Sequence, residues 1–133
     1  MELERTRPVL AAQGAYYVAT GVLPFVSRRA FEAVTGPKKE WWLVQTVGAL
    51  VTVVGGALIA GAARDRVTPE LAAVAAGCAV SLAGIDVVYV AKGRIAPTYL
   101  ADAAVQVALL AAGSTRTGAA SRAARRGRPA RSR

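Results

Sequence analysis

The chain has 133 residues, of which 54% are hydrophobic and 19% charged, with a net charge of +9 and a mean hydropathy of +0.37; the length suits one domain. It holds no histidine and one cysteine, Cys78, which excludes histidine-ligated haem, histidine-containing metal sites, Ser-His and Cys-His nucleophilic pairs and a paired-cysteine relay. No Walker-type or dinucleotide glycine motif is present either, so no cofactor or metal is expected and enzymatic activity is disfavoured.

The apolar residues gather in four blocks, 8–27, 41–62, 69–91 and 95–113, separated by short charged segments. Each has the roughly 17–25 residues that a helix needs to cross a hydrocarbon layer about 30 Å thick. A soluble bundle would show a polar face on each helix. The stretch LVQTVGALVTVVGGALIAGA has none, its few polar residues being Gln45, Thr46 and Thr52. The expectation is an all-α integral membrane four-helix bundle over 1–113, followed by a disordered arginine-rich cytoplasmic tail over 114–133.

In the first block, Arg5 and Arg7 precede Pro8, which suits a first helical turn. The block is too long for a signal peptide, contains Tyr16-Tyr17 and lacks a small-x-small cleavage site. Pro24 is expected to kink or end the helix. In the loop SRRAFEAVTGPKKEWW, the three-residue spacing of Phe31 and Val34 predicts a short interfacial helix that rests Phe31 on the bilayer surface, stopped by Gly36-Pro37. Trp41 and Trp42 follow a charged run, as aromatic anchors at a membrane boundary do.

The second block carries Gly48, Thr52, Gly56 and Ala60, and the third Ala73, Gly77, Ser81 and Gly84. Small residues at such intervals let helices approach closely. Between the blocks, Thr68 is the expected N-cap and Pro69 the first helical residue. Cys78 reads as a small apolar residue in a packed helix.

The tail RTGAASRAARRGRPARSR has many arginines and no acid, a composition that favours disorder. A nucleic-acid arm is one reading of it; a cytoplasmic anchor touching anionic lipid head groups is preferred. With both termini cytoplasmic in a multi-pass cell-membrane protein, the inner side holds Arg5, Arg7, Arg64, Arg66 and the tail with Arg116 and Arg122. The outer side then holds Arg28, Arg29, Lys38, Lys39, Lys92 and Arg94. The first loop alone argues the other way, and the tail outweighs it.

The chemistry gathers around SLAGIDVVYVAKG, where Asp86 interrupts an apolar run. The tight connection KGRIAP makes the third and fourth blocks an antiparallel hairpin. Asp86 lies six residues before Lys92 and Asp102 seven after Ile95, which places both roughly 9–12 Å along their helices from the turn. Gln45 enters at a similar depth, as do Tyr17 and Thr20. Thr98, Asp102 and Gln106 form one helical stripe with Tyr99 beside it; Asp86 and Tyr89 form another, and Gln13, Tyr17 and Thr20 a third. A membrane carboxylate costs about 2.5–3.5 kcal/mol or more at a helix centre, so the stripes should face inward.

Three readings of this layer stay open. The acids satisfy neighbours only, the partners being Tyr17, Tyr89, Tyr99, Gln45 or a snorkelling Lys92 or Arg94. Alternatively they line a small polar cavity that binds a cation, a proton or a polar-headed lipophile; two acids so close are then expected to keep one proton between them. In the third reading an acid contacts another membrane protein. The candidate ligand- or ion-binding set is Asp86, Asp102, Gln45, Tyr17, Tyr89, Tyr99 and Gln106.

The segments FEAVTGPKKEWWLVQTVG (31–48) and IDVVYVAKGRIAPTYLADAA (85–104) resemble a group of small four-span bacterial membrane proteins without an assigned activity. The positions that carry the resemblance include Phe31, Glu32, Gly36, Pro37, Lys38, Trp42, Gly48, Asp86, Tyr89, Pro97 and Asp102. It covers most of the membrane part, not the tail, and implies a fold more than a job. DoxX-like and sterol-isomerase or sigma-2-like proteins are similar only in size and in having polar residues within helices. The functional expectation is a membrane protein that binds or moves a cation, proton or small lipophilic ligand. An accessory or scaffold subunit is the alternative. A cofactor-free lipid-modifying enzyme comes third, and the absence of histidine weighs against it. Expected partners are the bilayer, anionic head groups through the tail, and a second copy or another membrane protein.

Overall fold

Where α-helices begin and end here follows from a few turn-forming residues. The computed structural model describes residues 6–127. Five helices make up the fold: α1 (Arg7–Val26), α2 (Arg28–Thr35), α3 (Trp41–Ala63), α4 (Pro69–Ala91) and α5 (Tyr99–Arg126); no strand occurs among the described residues. Arg5 and residues 128–133 lie outside them, as do the side chains of 114–125, among them the expected inner charges Arg116 and Arg122.

Ser27 caps α2, its hydroxyl accepting from the Ala30 N–H at 3.1 Å, and Gly36 ends the helix at φ 85°. Thr68 caps α4 by accepting from the Leu71 N–H at 3.2 Å, with Pro69 as its first residue. α3 and α4 close with the same motif. Arg66 N–H returns to Gly61 O and Arg94 N–H to Tyr89 O, each at 2.9 Å, around a left-handed residue that is Asp65 in one case (φ 53°) and Gly93 in the other (φ 69°). Pro24 lies in the last turn of α1, which runs two residues further, to Val26.

α1, α3 and α4 are long and apolar enough to cross a membrane, and most of each apolar stretch is left uncovered by the rest of the chain. Val53 of α3 is 70% exposed and Val80 of α4 59%. Unbroken exposed apolar faces on three such helices fit a small membrane protein. The apolar part of α5, Tyr99–Gly113, is shorter, roughly 22 Å at 1.5 Å per residue.

α1 packs along α3, and α4 along α5; α1 also touches α4 and α5. The α1–α3 seam is antiparallel and built on two glycine pairs. A Cβ on Gly14 would stand 2.7 Å from Gly55 O, and one on Gly48 would stand 2.6 Å from Gly21 O. Leu10, Tyr17, Leu58 and Ala75 form the centre, with Cys78 and Leu82 against it.

Several expectations need correction. The close-packing stripe of α3 is Gly48 and Gly55, not Gly48 and Gly56, and a Cβ on Gly56 would meet nothing within 4 Å. Likewise Gly77 and Gly84 of α4 face open space; the buried stripe is Ala75, Ala79, Ala83 and Asp86. The last helix begins at Tyr99 rather than 95, because Pro97 drives Ala96 out of the helical region; the chain enters the helix through short i to i+3 bonds such as Leu100 N–H to Pro97 O at 2.9 Å. Past Gly113 the chain remains helical to Arg126 where disorder was expected, in keeping with the high helix propensity of its alanines and arginines.

Candidate functional site

The late start of α5 decides the depth of the acids. Asp102 falls in the first turn of α5, and Asp86 lies five residues before the end of α4 at Ala91. Both therefore sit roughly 5–8 Å from their helix ends, shallower than the spacing from Ile95 implied. Asp86 is 4% exposed, Asp102 is half-buried, and the two carboxyls are within hydrogen-bonding reach of each other.

A directional hydrogen-bond chain leads to Asp102. Gln13 Nε2 donates to Ala75 O at 2.8 Å, so that end of the amide must be the nitrogen. The same nitrogen donates to the Tyr17 hydroxyl at 3.0 Å. Tyr17 in turn donates to Gln106 Oε1 at 2.8 Å, which leaves Gln106 Nε2 to donate to Asp102 Oδ1 at 3.4 Å. The Tyr16 hydroxyl donates to that same oxygen. Tyr17, Gln13 and Gln106 are all buried, so each donor and acceptor needs the partner it has. Asp86 Oδ2 alone is buried without a hydrogen-bond partner among the described residues.

The network thus unites Asp86, Asp102, Tyr17 and Gln106 of the expected set and adds Gln13 and Tyr16. Gln45 and Tyr89 do not join it among the described residues. The buried stripe of α4 steps from Ala83 to Asp86 and on toward Val90, so Tyr89 falls to its side; it is 39% exposed and lies beneath Lys92 Nζ at 5.5 Å. Lys92 covers that ring rather than snorkelling to the acids. To the cavity lining described below, α3 contributes Gly48 and aliphatic side chains, while its Thr52 turns its hydroxyl to its own Gly48 O at 2.7 Å. Tyr16 stands three residues after Gln13 and four before Thr20, so it shares their stripe as closely as Tyr17 does; both tyrosines reach α5, one at Asp102 and the other at Gln106.

Beside the network lies a cavity of about 510 Å³. Its walls are aliphatic, with Leu23 and Pro24 of α1, Val34 of α2, Val44 and Val47 of α3, and Val105 of α5. Its polar end is formed by Tyr16, Tyr17, Thr20, Asp102 and Gln106, and Tyr99 also lines it. Among the described residues no lysine or arginine lines it. Lys38 lies next to this lining, its Nζ 5.1 Å from the Tyr99 ring and donating to Thr35 O at 2.8 Å. Thr98 donates to Val34 O at 2.6 Å and so ties the start of α5 to α2.

The aromatic anchors are gathered around α2. Phe31 meets Trp41 edge-on at 5.7 Å, and the Arg28 guanidinium lies 4.7 Å over Trp41. Trp42 donates to Glu40 Oε2 at 2.8 Å. Arg28 Nε donates to Glu32 Oε1 at 2.9 Å, and this bond, helped by the Lys38 N–H, holds the Glu32 carboxyl below the usual carboxylate range. Among the described residues no three or more Cys, Asp or Glu side chains gather as metal ligands would.

No family model matches this chain. No curated protein matches it, and no solved structure does. The chemistry of the site therefore rests on its own geometry.

Proposed function

We propose that the chain is an integral membrane protein that binds a lipophilic molecule with a cationic or hydrogen-bond-donating head. The observation that carries this reading is the cavity: about 510 Å³, aliphatic along its walls, with a carboxyl and two tyrosines at one end and, among the described residues, no basic side chain in its lining. Pockets of roughly 300–1,000 Å³ with apolar walls and a few convergent polar groups are the usual form of a small-molecule site. The apolar body would lie against Val44, Val47 and Val105, and the head would meet Asp102 and Tyr16. Without a cation in the lining, an anionic head would face Asp102 with no compensation.

On this reading α1, α3, α4 and α5 all cross the bilayer. The packing of α4 on α5 and the helical continuation past Gly113 support a fourth span. α2 would lie in the head-group layer, held by Phe31, Trp41 and Trp42. Residues 1–113 form the membrane domain and the arginine-rich segment after it anchors to anionic lipid on the cytoplasmic side, with both termini there. Moving a cation or proton across the membrane would take a second copy at this size.

The test is binding in nanodiscs, with empty nanodiscs as the reference, of decyltrimethylammonium, decanol and decanesulfonate. The expected order of affinity is cation, then alcohol, then sulfonate, with the cation's advantage lost in Asp102→Asn and all binding reduced when Val105→Phe fills the cavity. A preference for the sulfonate, or indifference to Val105→Phe, would sink the reading. An accessory-subunit role is favoured by one observation, that Gln13, Tyr16 and Tyr17 bond α1 to both α4 and α5. It predicts loss of a co-purifying membrane partner in Asp102→Asn and no saturable binding of any probe.

A further inference from the structure

The donors around Asp102 determine more than its position. Tyr16 and Gln106 both point a hydrogen at Asp102 Oδ1, and the chain from Gln13 through Tyr17 fixes the sense of the Gln106 amide. A carboxyl that accepts from two fixed donors is the natural anion of the pair. It also lies in the first turn of α5, where the helix dipole favours negative charge. Asp86 has the opposite surroundings. It is 4% exposed, lies near the C-terminal end of α4, and has one oxygen with no partner.

Two touching carboxylates cannot both stay ionised cheaply away from water. They can touch if one of them donates. Were Asp86 the donor, its hydroxyl would face Asp102, and the orphaned Oδ2 would be a carbonyl-type oxygen. Such an oxygen tolerates a missing partner better than an ionised one does.

Resting on the ligand reading above, we infer that the pair holds a single proton, seated on Asp86 and donated to Asp102, and that a lipophilic cation arriving at Asp102 from the cavity drives this proton out. The Tyr16 and Gln106 hydrogens are fixed to their side chains, so the Asp86 proton is the one donor a cation can replace. Before binding, the site carries one proton and one negative charge. After binding the cation lies against Asp102, Asp86 is ionised beside it, and the proton has left to water. The site's net charge is the same in both states.

The ionisable groups facing the pair are few. α1 supplies Tyr16 and Tyr17, α4 Cys78 besides Asp86, and α5 Asp102 and Tyr99, the latter lying under Lys38. α3 has no ionisable side chain between Trp41 and Ala63. The α2 residues in the cavity lining are Phe31, Val34 and Thr35. Lys38 and Lys92 lie over Tyr99 and Tyr89 rather than on the acids. The proton exchange therefore belongs to the two carboxyls.

The test is isothermal titration of the full chain in nanodiscs with a butyltriphenylphosphonium salt, a cation with no proton of its own. Running it in buffers of different ionisation enthalpy counts protons released per cation bound. The expected result is a release that approaches one proton per cation at acidic pH, with affinity rising up to tenfold per pH unit over the same range. Asp86→Asn keeps a donor toward Asp102 and has no proton to lose. It should bind with an affinity that does not change with pH over this range and release nothing. Saturable binding with no proton release and a flat pH profile would overturn this inference while leaving the ligand reading intact. No saturable binding beyond empty nanodiscs would overturn both. The wild-type proton count decides the matter even if Asp86→Asn fails to fold.

Discussion

At the scale of single residues, the polar network sorts its members by the charge of their acceptors. Tyr16 donates to a carboxyl and Tyr17 to an amide oxygen. Hydrogen bonds to charged groups contribute about 1.5–3 kcal/mol, whereas neutral side-chain bonds in membrane proteins average about 0.6 kcal/mol and reach about 1.7. Tyr16→Phe should therefore cost more than the coupling found in a Tyr17→Phe/Gln106→Leu cycle, both read by steric-trapping unfolding in bilayers. If Tyr16→Phe costs no more than that coupling, Asp102 is not the anion. Glu32 gives a second residue-scale prediction. Its carboxyl is held low by Arg28, so its folded pKa lies below its unfolded one. The contribution is complete above the unfolded value and is lost as pH falls through the folded one. The contact of α2 with Trp41 should thus persist through the ordinary glutamate range near pH ~4.3 and loosen only below it. Tryptophan fluorescence reads this, and Arg28→Gln should move the midpoint upward. Residue by residue, Asp86, Asp102, Tyr17 and Gln106 were legible because buried polar side chains in apolar runs must turn inward. Tyr16 was not singled out, although three- and four-residue spacing from Gln13 and Thr20 puts it on the same stripe as Tyr17.

At the scale of elements, glycine spacing separates two uses of the same residue. Gly14 and Gly55 have each other's carbonyl oxygens where a Cβ would go, at 2.7 Å in both directions. A methyl there must push the backbones of α1 and α3 apart, and overpacking of this kind costs about 1–3 kcal/mol. Gly56, next in sequence to Gly55, faces nothing within 4 Å, and Ala has the higher helix propensity. Gly55→Ala should accordingly destabilise by about 1–3 kcal/mol while Gly56→Ala is neutral or stabilising, measured by the same unfolding assay. Equal effects at the two positions would mean that the α1–α3 seam is placed wrongly. Small-residue patterns foretold close helix approach and placed Gly48 and Thr52 of α3 rightly against Gly21, but continued to Gly56 instead of Gly55 and chose the open side of α4. In a sequence this rich in alanine and glycine, several registers at three- and four-residue spacing coexist, and only the partner helix selects one. Helix ends were legible where a side chain or ring dictates them, as at Thr68-Pro69 and Gly36-Pro37; the Ser27 cap of α2 emerges only in the structure. The start of α5 was misplaced because hydropathy counts Ile95 and Ala96 as span residues, whereas Pro97 forbids helix there.

At the scale of the whole molecule, the two ends differ in chemistry. The α3–α4 turn carries Arg64, Asp65 and Arg66, and Asp65 pairs with Arg7 at the start of α1. The other end carries the acid pair, the Lys38 and Lys92 contacts with tyrosine rings, and α2 with its Phe31 against Trp41 of α3. α4 joins the two ends with 23 residues, roughly 35 Å of helix, enough to place them on opposite sides of a bilayer about 30 Å thick. On the proposed orientation, the arginines from Arg116 onward would be drawn to the cytoplasmic, anionic leaflet. That choice sends the turn at Arg66 inward and the turn at Arg94 outward. In a Cys78→Ala background, Arg94→Cys should react with a membrane-impermeant maleimide on intact cells, and Arg66→Cys only after permeabilisation. The reverse pattern would invert the molecule and place the acid pair beneath the cytoplasmic face; a displaced proton would then be delivered inside the cell. Labelling of both positions on intact cells would deny that α4 spans at all, and the exposed valines of α3 and α4 would then need a protein partner instead of lipid.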